Sequence, residues 1–384
     1  MGPTFRISGR GALIITIGSL TSEQTAVMRA IIQSSDIGAG PFPAPKFFSA
    51  HDTRIGTSDA HEIVLTGTPR ELRRLGSLLA ADPRITPKIS PSFDSLLDNY
   101  LRSDYKIDCS GKTLDLGGRT HVMGILNVTP DSFSDGGQYI DTKNALAHAR
   151  EMVAAGADII DIGGESTRPG ADAISESEEL GRIIPLFERL SAELTVPLSV
   201  DTYKSTVARK ALDAGASIIN DISGLRFSPD MARVAADHNA SVVIMHIKGT
   251  PRNMQQNPVY VDVVGEVMSY LAEGIEIAVR GGVDREKILI DPGIGFGKTL
   301  EHNITLIDRL DEFRALGRPI LLGTSRKKFI GTILNVPVPA DRVDGTAATV
   351  ALGIERGASM VRVHDVARMV RVVRMTDAIV KNKF

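Results

Sequence analysis

Eight short apolar runs, each followed by a segment with helical periodicity, fill the chain from residue 113 to residue 384. Helices cover both faces of a parallel sheet, so its strands read as continuous runs of Val, Ile and Leu. Eight strand–helix units in this length match an α/β fold of the (β/α)8 TIM barrel type, which takes roughly 250 residues. The runs are His121–Val128, Asp158–Gly163, Pro197–Asp201, Ile218–Ile222, Ser241–His246, Ile288–Asp291, Pro319–Gly323 and Met360–His364.

A doubly wound open sheet is the competing fold for this pattern. Such a sheet needs a glycine-rich turn after its first strand. The first run here ends instead in Asn127-Val-Thr-Pro-Asp-Ser-Phe, which favours the barrel.

Residues 1–112 have a different character and predict a small α+β domain. Thr68 is the expected N-cap of one helix, and Pro69 its first residue. The expected elements are a strand within 12–17, a helix over Ser22–Gln33, a strand over His61–Leu65, and helices over Thr68–Ala81 and Ser90–Leu101. We therefore predict two domains, an N-terminal extension over 1–112 with no assignable chemistry and a catalytic barrel over 113–384.

The composition excludes several classes of protein. Hydrophobic residues make up 42% and charged residues 23% of the chain, as in an ordinary globular protein. The balance of 44 basic against 46 acidic residues gives no net field for nucleic acid. No apolar run approaches the ~20 residues of a membrane span, and one cysteine, Cys109, excludes a disulfide framework. We expect a cytoplasmic protein without nucleic-acid or membrane partners.

Each of the eight runs delivers a polar group to its C-terminal end, which is the face where barrel enzymes carry their chemistry. Asp201, Asn220 and Asp291 lie at or inside strand ends, where no helix start requires them. Buried carboxylates need a ligand or a basic partner, for which Lys327 is the candidate. Asp221, by contrast, is expected to act only as a cap.

These side chains suit a ligand with two chemically different ends. Asp and Asn groups side by side can bind the amino-pyrimidinone edge of a heterocycle. Arg168, Arg326, Arg362 and His364 form a cationic end suited to a phosphate. Any metal is expected to be Mg²⁺, bound through oxygen and shared with the substrate phosphates. A P-loop is excluded, because Pro292 stands where that motif requires its first glycine.

Nine motifs follow one another between Gly124 and Val366, within a resemblance that covers about Leu114 to the C-terminus. They are Gly124-Ile-Leu-Asn-Val-Thr-Pro-Asp-Ser-Phe-Ser-Asp-Gly-Gly, Asp161-Ile-Gly-Gly-Glu-Ser-Thr-Arg-Pro-Gly, Ser199-Val-Asp-Thr, Ile219-Asn-Asp, Met245-His-Ile-Lys-Gly-Thr-Pro, Asp291-Pro-Gly-Ile-Gly-Phe-Gly-Lys, Gly323-Thr-Ser-Arg-Lys-Lys-Phe-Ile-Gly, Asp344-Gly-Thr-Ala-Ala-Thr and Arg362-Val-His-Asp-Val. In this order they resemble the dihydropteroate synthase family. The extension before the barrel and Lys248 within the fifth motif depart from the family pattern.

The resemblance implies a transferase of folate synthesis that joins 6-hydroxymethyl-7,8-dihydropterin diphosphate to 4-aminobenzoate and releases pyrophosphate. It also implies a homodimer and a Mg²⁺ ion held by Asn127 at the diphosphate. The residues that it implies for pterin binding are Asp201, Asn220, Asp291, Lys327 and Met245. The residues expected to contact the diphosphate, or the loops that close over it, are Thr167, Arg168, Arg362 and His364. Those expected to border the aminobenzoate pocket are Pro169, Phe296 and Ser325. The expected catalytic residues are Arg168, Lys327, Asp131 and Phe133.

Two other functions share part of this pattern. A pterin-binding methyltransferase barrel serving a corrinoid protein would need neither the loop at Asn127 nor the Ser325-Arg-Lys segment, and both are present. A non-catalytic pterin binder should have lost Asn127, Arg168 or Lys327, and the chain retains all three. A modified aminobenzoate stays open as the acceptor, because the pocket residues do not distinguish it.

Overall fold

The computed structural model describes residues 4–8, 13–20, 24, 26–28, 61–82, 89–128 and 137–381. The chain divides into two compact units, one of residues 1–102 with 311–317 and the other of 103–310 with 318–384. The boundary at 102/103 lies before the 112/113 boundary expected from the sequence. Across the described ranges, no helix is both long and apolar enough to cross a membrane.

The described residues of the first unit form a three-stranded antiparallel sheet and two α-helices, in agreement with the predicted small α+β region. The sheet has the order β1 (Thr4–Ser8), β2 (Leu13–Leu20), β3 (His61–Gly67). The helices are α1 (Pro69–Ala81) and α2 (Ile89–Leu101). Most of the helix expected over Ser22–Gln33 lies outside the described residues.

Helices α1 and α2 form because apolar side chains recur at helical spacing. Leu72, Leu75 and Leu79 are buried on α1, and Phe93 and Leu97 are buried on α2. Each set lies three or four residues apart, which places it on one face of its helix.

The second unit is a closed barrel of eight parallel strands, which confirms the predicted fold. Its strands are β6 (His121–Asn127), β7 (Ile159–Gly163), β8 (Leu198–Asp201), β9 (Ile218–Asp221), β10 (Ser241–Met245), β11 (Ile288–Asp291), β12 (Ile320–Leu322) and β13 (Ala358–Val363). Seven of the eight apolar runs contain a whole strand, and the eighth, Met360–His364, overlaps β13, which begins two residues earlier at Ala358. Strand β13 pairs with β6 and closes the barrel.

The described helices surround this barrel. They are α3 (Gly137–Ala154), α4 (Glu176–Glu193), α5 (Ser205–Asp213), α6 (Met231–Asp237), α7 (Val263–Arg280), α8 (Leu300–Asp308), α9 (Lys328–Leu334), α10 (Val343–Glu355) and α11 (Val366–Lys381). Asp201 on β8 pairs with Asn220 on β9, and Met245 on β10 pairs with Asp291 on β11. The parallel register therefore brings polar strand ends to one level at the C-terminal mouth.

The opposite end of the barrel is closed by a hairpin that the sequence pattern did not predict. Its strands are β4 (Lys106–Cys109) and β5 (Lys112–Asp115). Ser110 has φ 54° and Gly111 φ 82°, the backbone of a two-residue hairpin turn. The hairpin contributes Ile107, Cys109 and Leu114 to the cluster that fills the barrel's N-terminal interior.

Cys109 acts in this hairpin as a packing residue. It is 1% exposed, and its Sγ lies 3.9 Å from Ser241 Oγ on β10. Burial raises the pKa of the thiol to about 11, so it stays protonated at neutral pH. The thiol therefore offers no nucleophile at this end of the barrel.

Candidate active site

A cavity opens at the C-terminal mouth of the barrel, lined mainly by side chains from the strand ends and the loops that follow them. The lining residues are Ile125, Thr167, Asp201, Asn220, Ile222, Met245, Asp291, Phe296, Gly323, Ser325, Lys327, Arg362 and His364. Ten of them are site residues predicted from the sequence. The other three, Ile125, Ile222 and Gly323, are apolar or small residues that give no signal on their own.

A network of charged side chains lies at the base of this cavity. Arg362 donates from Nε to Asp161 Oδ2 and from a terminal nitrogen to Asp201 Oδ2, both at 2.6 Å. Asn220 Nδ2 donates to the same Asp161 Oδ2 at 3.1 Å. The sequence argument had named Lys327 as the basic partner of the Asp201 and Asp291 carboxylates and placed Arg362 at the diphosphate. In the structure the partner of Asp161 and Asp201 is Arg362.

Two carboxylate oxygens in the network have no hydrogen-bond partner within the described residues. They are Asp161 Oδ1 and Asp201 Oδ1, and both are buried. Burial raises the pKa of Asp201, and the attraction to Arg362 opposes this rise. A buried acceptor without a donor is costly, so these oxygens indicate that a ligand or water with N–H or O–H groups belongs here.

Lys327 contributes a second cation to the cavity. Its ammonium donates to the carbonyl of Ile294 and lies 4.2 Å from the centre of the Phe296 ring. Burial lowers the pKa of Lys327 to about 8, while the charge of Asp291 opposes this lowering. The lysine therefore carries its charge at neutral pH but holds it weakly.

Asp291 is held by the turn that follows it. Its Oδ1 accepts a hydrogen bond from the Gly293 amide at 2.7 Å. Gly293 has φ 68°, and a Cβ at this position would lie 1.9 Å from the carbonyl oxygen of His246. The Asp-Pro-Gly segment thus requires glycine, and it fixes one carboxylate oxygen of Asp291.

Behind the cavity wall, a buried lysine anchors the segment that carries Phe296. Lys298 Nζ lies 2.9 Å from His246 Nδ1 and donates to the Phe296 carbonyl at 3.0 Å. Burial lowers the pKa of His246 to about 2, so its ring is neutral and accepts from the lysine. The sequence had placed His246 at a strand end without giving it a partner.

Ser325 and His364 meet at the rim of the cavity. His364 Nδ1 lies 3.0 Å from Ser325 Oγ, which also accepts from the His364 amide at 3.1 Å. Burial and the nearby Arg362 lower the pKa of His364 to about 3, so the ring is neutral at physiological pH. His364 can therefore donate or accept a hydrogen bond but adds no charge at neutral pH.

Arg326 does not line the cavity, although the sequence placed it among the phosphate-binding cations. Its guanidinium forms two hydrogen bonds to the carboxylate of Asp365, at 2.9 and 2.6 Å. Its backbone has φ 57°, which turns the chain between Ser325 and Lys327. This arginine shapes the segment that carries its two neighbours.

The loop after β7 is anchored by contacts with Tyr203 and Lys204, which follow β8. Lys204 Nζ forms ion pairs with Glu165 and with Glu179, the latter at 2.7 Å, and donates to the Ile174 carbonyl at 2.8 Å. Tyr203 Oη donates to Glu165 at 2.5 Å. These contacts fix both ends of the loop from which Thr167 reaches the cavity.

The remaining predicted residues lie around the mouth. Asn127 is half-buried at the end of β6. Arg168 and Pro169 are exposed on the loop after β7 and do not line the cavity. Asp131 and Phe133 lie outside the described residues.

In the part of the chain that the structure describes, the mouth of the barrel offers few side-chain ligands for the predicted Mg²⁺. Among the described residues, no group of three or more His, Cys, Asp or Glu side chains could hold a metal ion. Asn127 offers one carboxamide oxygen. Mg²⁺ commonly keeps several waters and binds substrate phosphates with one or two protein ligands. A single oxygen ligand therefore fits a metal that enters with a diphosphate.

Comparison with known proteins identifies relatives for the whole barrel. The model of the family described as pterin binding enzyme matches residues 123–364. The dihydropteroate synthase of Bacillus subtilis (strain 168) is 55% identical over 260 residues, which cover 68% of this chain and 88% of that protein.

Solved structures show the same similarity. A dihydropteroate synthase from Clostridium difficile, crystallised in the presence of pteroic acid, is 49% identical and has a TM-score of 0.66. The match covers 69% of this chain and 98% of that one. The Xanthomonas albilineans dihydropteroate synthase with 4-aminobenzoic acid is 46% identical, with a TM-score of 0.68 over 72% of this chain and 98% of that chain.

Proposed function

The chain belongs to the family of pterin-binding enzymes, and from this membership we infer that it catalyses the dihydropteroate synthase reaction. It is a transferase that joins 6-hydroxymethyl-7,8-dihydropterin diphosphate to 4-aminobenzoate. The products are 7,8-dihydropteroate and pyrophosphate, and the reaction belongs to folate biosynthesis. The observation that carries this conclusion is the 55% identity to a curated dihydropteroate synthase over 88% of that protein's length.

The cavity has the chemistry to bind a pterin ring. Asp201 and Asp291 offer carboxylate oxygens for ring N–H and amino groups, and Asn220 adds an amide. Met245 and Ile222 line the same cavity with apolar surface suited to the faces of a planar heterocycle. This division of polar edges and apolar faces supports the pterin as the ligand of the base of the cavity.

The charges around the ring site favour a reaction through a cation. Departure of the diphosphate breaks a C–O bond, and the electron pair leaves with the oxygen. Asp201 and Asp291 line the cavity together with Arg362 and Lys327, and Asp161 pairs with Arg362. Carboxylate oxygens held close to the ring stabilise positive charge as it develops on the pterin and its exocyclic carbon.

The second half of the reaction needs little from the protein except position. The amine of 4-aminobenzoate is neutral, attacks the exocyclic carbon and then loses a proton. Ser325 and Phe296 line the cavity where the aminobenzoate is proposed to lie. We assign Thr167 and Arg168, on the loop after β7, to the diphosphate and to closure that excludes water.

Mg²⁺ is part of the proposal as a cofactor. When bound, it would neutralise charge on the departing diphosphate. Asn127 would hold it at the end of β6, where the chain offers an oxygen ligand. An Asn127→Ala variant should therefore need more Mg²⁺ for half-maximal rate, with an unchanged KM for 4-aminobenzoate.

A homodimer in the cytoplasm completes the proposal. Helices α9 to α11 expose large apolar side chains, which favours burial against a second copy. These residues, 46–65% exposed, are Ile333, Leu334, Leu352, Met375 and Ile379. The single cysteine, Cys109, is free and buried, as expected in a reducing compartment.

The test is an assay with purified protein, dihydropterin diphosphate, 4-aminobenzoate and Mg²⁺, with both products followed. Pyrophosphate and dihydropteroate should appear in equal amounts. Asn220→Ala should lose this activity, while Asn144→Ala, on the exposed surface of α3, should keep it.

Other outcomes would redirect the proposal. Binding of the pterin diphosphate without turnover would indicate a modified aminobenzoate as the acceptor or a regulatory role. Absence of pterin binding would contradict the assignment of the cavity.

A further inference from the structure

We propose that Asp161 is a positioning residue, which sets the atoms that Asn220 and Asp201 present to the pterin. The inference rests on the proposed function and assigns a role to a residue that does not itself line the cavity. Asp161 is 0% exposed on β7, and the sequence analysis had named it only as the first residue of the second motif.

Barrel geometry explains why Asp161 meets residues far away in the sequence. Inward side chains of a (β/α)8 barrel form layers, and each layer draws on alternate strands. Strands β13, β7 and β9 alternate in the closed order. They supply Arg362, Asp161 and Asn220, so a polar layer occupies a position usually filled by apolar side chains.

The first consequence concerns the orientation of the Asn220 amide. An ionised carboxylate can only accept hydrogen bonds, so the group that faces Asp161 must be the amide nitrogen. The structure has this arrangement, with Asn220 Nδ2 at 3.1 Å from Asp161 Oδ2. The amide oxygen is thereby left for the ligand, and Asn220 becomes a hydrogen-bond acceptor in the cavity.

The second consequence concerns Asp201. Arg362 uses Nε for Asp161 and a terminal nitrogen for Asp201 Oδ2, both at 2.6 Å. Because a guanidinium is planar, the bond to Asp161 fixes the direction of the bond to Asp201. The bond from Arg362 engages Asp201 Oδ2 and leaves Asp201 Oδ1 without a partner among the described residues. Asp201 Oδ1 is therefore available to the ligand.

The test compares Asp161→Ala, which removes the acceptor, with Asp161→Asn, whose amide oxygen can still accept from Asn220 and Arg362. Loss of one oriented hydrogen bond changes affinity by about 10- to 100-fold. We expect Asp161→Ala to raise KM for the pterin diphosphate by about that factor and to leave KM for 4-aminobenzoate within about twofold. Asp161→Asn should stay within about fivefold of the wild type, because it keeps the acceptor.

Asp158→Ala is the matched control at the opposite end of β7. Asp158 also pairs with an arginine, Arg119, and accepts from the Val122 amide at 2.8 Å. Its loss should lower the melting temperature and leave both KM values unchanged. A fall in the melting temperature and active fraction of Asp161→Ala, with unchanged KM, would make Asp161 merely structural and overturn the inference.

Two further outcomes bear on the inference. If Asp161→Asn were as impaired as Asp161→Ala, charge rather than hydrogen-bond direction would be the cause, and the positioning role would be wrong. If the wild type did not turn over, the proposed function would fail by itself. The dissociation constant of the pterin diphosphate for the wild type and Asp161→Ala would then still decide the positioning role.

Discussion

Replacement of Lys327 by methionine should stabilise the protein at neutral pH and inactivate it. Methionine is similar in length and carries no charge. The lysine pKa is lowered from its ordinary 10.5 to about 8, which corresponds to about 3 kcal/mol against the charged form. Partial exposure of the side chain and the lost hydrogen bond to the Ile294 carbonyl reduce the expected gain to about 1–2 kcal/mol.

The pH dependence gives the prediction its sign. Below pH 8 both the folded and the unfolded chain bind this proton, so the folded wild type bears the full cost of the buried charge. Between pH 8 and 10.5 only the unfolded chain keeps the proton, so wild-type stability rises with pH. The advantage of Lys327→Met should therefore be largest at pH 7 and should shrink toward zero above pH 10.

The measurement is urea unfolding of both proteins at pH 7.0 and 9.5, followed by circular dichroism, with kcat/KM determined at pH 7.0. We expect kcat/KM to fall at least about 100-fold, because a charge-assisted contact to the ligand is lost. A variant that is less stable than the wild type by the same amount at both pH values would refute the reasoning. Lys327 would then stabilise the fold, and its buried charge would not be a cost to stability.

Three further changes test other parts of the structure. Gly293→Ala should destabilise the barrel by at least about 2 kcal/mol, because its Cβ would lie 1.9 Å from the His246 carbonyl oxygen; an unchanged melting temperature would show that the turn can move. Arg168→Ala should lower turnover at least about tenfold without changing the melting temperature, since the side chain is exposed. A fall in the melting temperature that accompanies the fall in turnover would argue against a role of Arg168 in the reaction. Ile379→Glu, at a position 65% exposed on α11, should convert a dimer to a monomer in sedimentation experiments, and an unaltered mass would remove this helix from the interface.

The strands could be predicted because their signal is local. A run such as Ile288–Asp291 is apolar throughout, and buried parallel strands need little else. The hairpin β4–β5 escaped prediction because its strands are four residues each. Its turn is Ser110-Gly111, a weaker signal than Asn-Gly.

The contents of the cavity were predictable because parallel strands must end on one face. Asp201, Asn220 and Asp291 follow from this rule together with the polar residues at strand ends. Pairings within the site were not predictable in the same way. Arg326 and Arg362 both follow from the same kind of signal, an arginine near the end of a predicted strand. In the structure Arg326 pairs with Asp365 outside the cavity, whereas Arg362 pairs with two carboxylates at its base.

The sequence by itself therefore determined the barrel, the face that carries the chemistry and the kinds of groups on that face, because each depends on patterns within a few residues. Tertiary structure alone decided which cation meets which carboxylate. Arg362 and Asp161 stand 201 positions apart, and only closure of the barrel between β13 and β6 brings their strands near each other. Asp161 Oδ1 and Asp201 Oδ1, which have no partner in the part of the chain that the structure describes, follow from that closure, because a hydrogen bond depends on position and direction in space.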